Sequence, residues 1–185
     1  MSSAAFLIVI LQYLLGSGFL FCYNVFMFYS KNENELIDYG FRLGRLLQAQ
    51  DVLILSGDLG AGKTTLTKGI AKGLGISQMV KSPTYTIVRE YEGNLPLYHL
   101  DVYRIGDDPD SIDLDDFIYG DGVTVIEWGE LLDEGLFQDY LHLFIVKRDN
   151  GRAVQLEAKG SRAKEIIEKL TNDQTDCYHR RSSSL

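Results

Sequence analysis

The sequence predicts an α/β protein in which a small mixed β-sheet is flanked by helices. Three observations carry that expectation. Val52-Leu53-Ile54-Leu55-Ser56 is a continuous apolar run with no polar alternation, the pattern of a strand buried on both faces of a parallel sheet. A glycine-rich turn, Gly57 to Gly62, follows it, and helical period then returns through Leu66, Ile70 and Leu74. Strands and helices alternate early in the chain and strands dominate later. A length of 185 residues suits one domain with a real core.

Taken in order, Glu33 to Gln50 reads as an amphipathic helix, with Leu36, Tyr39, Leu43 and Leu47 on one face and Asn32 and Glu35 spaced for capping. The helix from Lys63 stops at Gly73 and Gly75. Thr84 to Tyr91 and Leu95 to Ile105 read as a hairpin across Glu92-Gly93-Asn94. A short helix is expected between Asp107 and Asp116, with Ile112, Leu114 and Phe117 facing inward. Val123 to Ile126 repeats the buried-strand pattern, Leu141–Val146 pairs with Ala153–Ala158, and Ser161 to Leu170 closes the fold as a helix. The expected division is an apolar segment over 1–30, the α/β domain over 31–170, and a polar, disordered tail over 171–185.

Composition excludes several classes. Acidic residues outnumber basic ones, 26 to 18, for a net charge of −8. Such a surface is poorly suited to gripping a phosphate backbone, so any work on nucleic acid is expected to run through a partner. The two cysteines, Cys22 and Cys177, lie near opposite ends and belong to no CxxC or Cys/His cluster, which excludes a disulfide scaffold or a structural zinc site. Residues 1–30 hold no Asp, Glu, Lys, Arg or His. As a helix, Ala4 to Phe28 would span roughly 37 Å, enough for a hydrocarbon core of about 30 Å. The segment therefore reads as a membrane span or as sequence upstream of a start at Met27.

The chemistry concentrates in Gly57-Asp58-Leu59-Gly60-Ala61-Gly62-Lys63-Thr64, a G-x-x-x-x-G-K-[ST] phosphate loop placed after an apolar strand and before a helix. Its glycines let backbone N–H groups close round a phosphate, and the helix start adds its positive end. Lys63 supplies a full charge, and the Thr64 hydroxyl is placed for Mg²⁺. The expected architecture is accordingly a P-loop NTPase-like sheet. A metal-side carboxylate is also needed. Glu127, directly after a buried strand, sits where α/β sheets bind ligands; Asp101, on a hairpin, reads equally as solvated or functional. His99 reads as structural, and Trp128 as a core residue or a wall of the site.

Four ordered blocks resemble the TsaE (YjeE) family: Gly57 to Thr65, then Lys81-Ser82-Pro83-Thr84-Tyr85-Thr86, then His99-Leu100-Asp101-Val102-Tyr103-Arg104, then Val125-Ile126-Glu127-Trp128. The resemblance covers Glu33 to Leu170 and implies a slow cytoplasmic ATPase that uses ATP with Mg²⁺. It implies a role in threonylcarbamoyladenosine modification of tRNA, acting on the TsaB–TsaD heterodimer and meeting tRNA only indirectly. By position, Gly57, Asp58, Leu59, Gly60, Ala61, Gly62, Lys63, Thr64 and Thr65 would hold the nucleotide. Thr64, Glu127 and Asp101 would serve the metal, with either carboxylate open as the direct ligand. Lys63, Asp101 and Glu127 would be catalytic, Ser82 and Thr84 would form a switch-like segment, and Trp128 would flank the site. The alternatives are a P-loop small-molecule kinase, for which the scattered arginines supply no clustered lid, and a membrane-tethered nucleotide-dependent regulator.

Overall fold

The computed structural model describes residues 26–104 and 113–182. The elements are β1 (Phe26–Ser30), α1 (Glu33–Gly44), β2 (Val52–Ser56), α2 (Lys63–Gly73), β3 (Val88–Tyr91), β4 (Leu97–Asp101), α3 (Asp115–Ile118), β5 (Val123–Glu127), β6 (Tyr140–Arg148), β7 (Gly151–Lys159) and α4 (Ser161–Ser182). One seven-stranded sheet has the order β1-β7-β6-β2-β5-β4-β3. Its middle, β6-β2-β5-β4, is parallel; β7, β1 and β3 run antiparallel to their neighbours.

The apolar runs explain the middle of the sheet. Every residue of β2 and β5 is buried, because helices cover one face and the 114–118 segment with Phe137 and Tyr140 covers the other. The expected hairpin of β3 and β4 forms, but its first strand starts at Val88 rather than Thr84. Thr86 and Ile87 both donate backbone bonds to Pro83 O, and Ile87 takes φ 65°, so this stretch is a turn. β4 is an interior strand, so Asp101 is 3% exposed and the solvated reading of that residue is excluded.

Both ends differ from expectation. Residues 26–30 belong to the sheet as β1, paired with β7, rather than to a separate segment. Phe26, Phe28 and Ser30 turn inward, and Phe28 stacks on Tyr39 at 4.1 Å. Residues 1–25, which hold the rest of the expected apolar segment and Cys22, lie outside the described residues. So do residues 105–112, where much of the expected acidic helix falls. Among the described residues no helix is long and apolar enough to cross a membrane. The closing helix runs on from Leu170 to Ser182 instead of giving way to an irregular tail; no Pro or Gly interrupts that polar stretch, so nothing in the backbone stops it.

Helices α1 and α2 cross backbone to backbone. Gly40 and Gly44 of α1 meet Gly69 and Gly73 of α2 so closely that a methyl on Gly69 would fall on the carbonyl oxygen of Ile37, well inside van der Waals contact. This contact fixes α2, the helix that opens from the phosphate loop. Gly69→Ala is expected to lower stability by about 2–3 kcal/mol through forced separation of the helices, read as a fall of about 5–10 °C in melting temperature.

On the other side of the sheet centre, His142 of β6 stacks on Phe144 at 3.9 Å and lies 2.7 Å from Ser56 Oγ, which donates to Glu130 at 2.5 Å. Burial lowers the His142 pKa to about 4. The unfolded chain therefore takes up a proton near pH 6.5 that the folded chain refuses. The stability this histidine contributes is complete above that value and is lost as pH falls toward 4. Urea titrations at about pH 7 and about pH 5 should show a smaller acid loss for His142→Gln than for the parent chain.

Candidate active site

The phosphate loop leaves β2 at Ser56 and enters α2 at Lys63, at the edge of the sheet where the parallel strands end. Gly57 passes so close to Ile145 O that a side chain would collide with it, and Gly60 and Gly62 take φ of 72° and 117°, which L side chains rarely adopt. Ala61 N closes the bend on Asp58 O at 2.9 Å. Leu59, at the tip, is 86% exposed.

Lys63 is 5% exposed, and its ammonium donates to Gly57 O at 2.6 Å and to Asp58 O at 3.4 Å. The Trp128 ring lies over it, 3.8 Å from Nζ to centroid. Desolvation pushes the lysine pKa down, while Glu127, Glu130, Asp101 and Asp58 pull it up. Trp128 itself stands in a left-handed conformation, φ 64°, its N–H bonded to Leu55 O at 2.9 Å and its ring 5.0 Å from that of Tyr103.

The register between β4 and β5 sets Asp101 directly beside Glu127. Glu127, 4% exposed, accepts on one oxygen from Thr64 Oγ1 at 2.8 Å and lies 2.9 Å from His99 Nε2. Asp101 accepts from Thr84 Oγ1 at 2.6 Å and from Tyr103 N at 3.1 Å. Thr84 and Ser82 share a 2.7 Å hydroxyl contact. Thus Lys63, Thr64, Glu127, Asp101, Trp128, Ser82 and Thr84 gather at one strand edge, with Thr65 in the first turn of α2. No group of three or more His, Cys, Asp and Glu side chains forms a closed metal cage among the described residues. The donor set is instead a hydroxyl and two carboxylates, hard oxygen ligands of the kind that hold Mg²⁺ when phosphates and water complete its shell.

Sequence reasoning missed His99. It is fully buried, and its Nε2 meets the carboxylate that also holds Thr64, so it orients that carboxylate as well as filling space. The legible signal was the spacing to Asp101: residues two apart on a strand share a face, here the face that carries Glu127. Glu130 was missed too, because its link to Ser56 bridges 74 positions.

Comparison with known proteins agrees with this architecture. A family model described as threonylcarbamoyl adenosine biosynthesis protein TsaE matches residues 30–154. The tRNA threonylcarbamoyladenosine biosynthesis protein TsaE of Bacillus subtilis is 49% identical over 124 residues, 65% of this chain and 78% of that protein. The TsaE of Haemophilus influenzae is 34% identical over 153 residues, covering 78% and 96%. The crystal structure of Bacillus subtilis YdiB superposes with a TM-score of 0.72 at 38% identity, over 82% of this chain and 97% of that one. The match spans the phosphate loop, the Thr84 turn and both carboxylate strands, and the chain belongs to the TsaE family of tRNA threonylcarbamoyladenosine biosynthesis proteins.

Proposed function

We propose that this chain is a Mg²⁺-dependent ATPase that binds ATP on the Gly57–Thr65 loop and resets a TsaB–TsaD-type transferase between rounds of tRNA modification. The observation that carries the reading is the bond from Thr64 to Glu127 beneath a glycine loop whose lysine is folded back on its own carbonyls. Lys63 donates to Gly57 O and Asp58 O, and a triphosphate would offer it stronger acceptors at the same loop. Thr64 and Glu127 would hold the metal, with Asp101 next to them, and the ion would supply charge neutralisation for the β and γ oxygens.

The remaining work belongs to the chain. His99 keeps the Glu127 carboxylate turned toward Thr64. Asp101, held by Thr84 from the switch-like turn, would orient the attacking water. With a γ-phosphate bound, the Ser82 and Thr84 hydroxyls would turn toward it, loosening the hold of Thr84 on Asp101 and reshaping the turn that carries Tyr85. Tyr85 is 85% exposed with the Arg104 guanidinium 4.9 Å over its ring. A partner bound there would sense the nucleotide state. The acidic chain would meet tRNA only through that partner, in the cytoplasm.

Substitutions at three positions test the scheme. Lys63→Ala should lose ATP binding, measured by calorimetry, together with tRNA modification in the reconstituted system. Glu127→Gln should still bind nucleotide but hydrolyse it about a hundredfold more slowly. His99→Leu should raise the Mg²⁺ concentration needed for half-maximal hydrolysis, while His99→Gln, whose amide nitrogen replaces Nε2, should restore it. If added protein and ATP give the transferase no additional rounds of modification, the resetting role is wrong even where hydrolysis is seen.

A further inference from the structure

Two cations on the β6–β7 hairpin have no part in the scheme above. Lys147 and Arg152 face each other directly across the two strands. Like charges directly opposite weaken a strand pair. Among the described residues neither has a carboxylate within ion-pairing distance. In sequence they look like scattered basic residues; the hairpin register brings them together.

Both side chains reach the phosphate loop. Lys147 Nζ donates to Leu59 O at 2.8 Å, and Arg152 Nε donates to Ala61 O at 2.7 Å, with a further bond from Arg152 Nη1 to Gly151 O at 2.8 Å. In a planar trans peptide the carbonyl and the next N–H point to opposite sides. Holding Leu59 O toward the hairpin therefore turns the Gly60 N–H away from it, and holding Ala61 O does the same for Gly62. Among the described residues neither of these two N–H groups has a partner within the protein. Both glycines hold a positive φ, as does Gly57 at the start of the bend.

We propose that Lys147 and Arg152 are positioning residues for the phosphate loop, gripping alternate carbonyls so that Gly60 and Gly62 present their N–H groups to a bound polyphosphate. The inference rests on the nucleotide reading of the site. It also explains why the repulsive pair is kept: each cation gains a charge-assisted bond to the loop, and together they add positive potential beside an anion site in an acidic protein.

The test is Mg-ATP affinity by calorimetry for the parent chain, Lys147→Met, Arg152→Met, the double variant, and the donor-keeping Lys147→Arg and Arg152→Lys. Each is measured at low salt and at about 0.5 M salt, beside the melting temperature without nucleotide. The double variant is expected to bind about tenfold more weakly or worse, with the loss persisting in salt and the ligand-free melting temperature unchanged or raised. The donor-keeping variants should stay near the parent. Binding of the double variant within twofold of the parent overturns the proposal, and so does a loss that vanishes in salt, which would make the pair a charge field and not a grip. Should the double variant fail to fold, the single variants decide by the same criteria. A parent chain that binds no ATP overturns the nucleotide reading itself.

Discussion

The register of three neighbouring parallel strands fixes the site. Leu55 of β2 pairs with Glu127 of β5, and Glu127 pairs with Asp101 of β4, so two carboxylates stand in a row beside the start of the phosphate loop. Strand side chains alternate with a period of two, and a slip of one residue in either ladder would turn a carboxylate to the opposite face of the sheet. The long apolar runs of β2 and β5 forbid that slip poorly by pattern alone, because both faces are buried. The anchors that pin it are polar side chains: Glu127 on Thr64 and His99, and Asp101 on Thr84, all lost if a carboxylate changed face.

Around that row the protein buries charge, which is costly unless partners are supplied. Glu127 takes donors from Thr64 and His99, Asp101 from Thr84 and Tyr103, and Lys63 rests on two carbonyls under an indole face. Each partner is one that a ligand can replace or reuse. A hydroxyl that bonds a carboxylate can turn to a metal, and a lysine on carbonyls can turn to a phosphate, with no large movement of backbone. The polar groups of the row are thus oriented by one another, which would reduce the ordering that binding a ligand has to impose.

What was legible in the chain follows from how local each feature is. The phosphate loop is eight contiguous residues flanked by a strand and a helix, so composition and spacing were enough. Glu127 was legible because the end of a buried run is itself a position in the fold. Asp101 was ambiguous because a hairpin read from sequence does not say which of its strands lies inside the sheet. Glu130 and the Lys147–Arg152 pair were illegible as functional residues, since each acquires its meaning from a neighbour 74 to 91 positions away or from cross-strand register, and His99 left only the faint signal of its spacing to Asp101. The strand at residues 26–30 was hidden by the apolar run before it: an edge strand and a longer hydrophobic segment look alike when no charge marks the border.

The same reasoning bears on how tightly the loop is built into its surroundings. It is held from four directions: by β2 behind it, by α2, whose glycines lock it to α1, by Lys63 from within, and by the β6–β7 hairpin from outside. The Thr84 turn is held mainly at its two ends, by Tyr91 OH on Lys81 and by Asp101 N on Ile87 O. Its hydroxyls bond one another and Asp101, Ile87 is held at a positive φ, and Tyr85 stands in solvent. A β-branched residue in that conformation stores strain that a modest change of partners can release. A cradle held from four directions beside a strained turn is an arrangement in which partners can change at one element without disturbing the other, which supports the proposal that a response to ligand is carried by the Thr84 turn and not by the glycine loop.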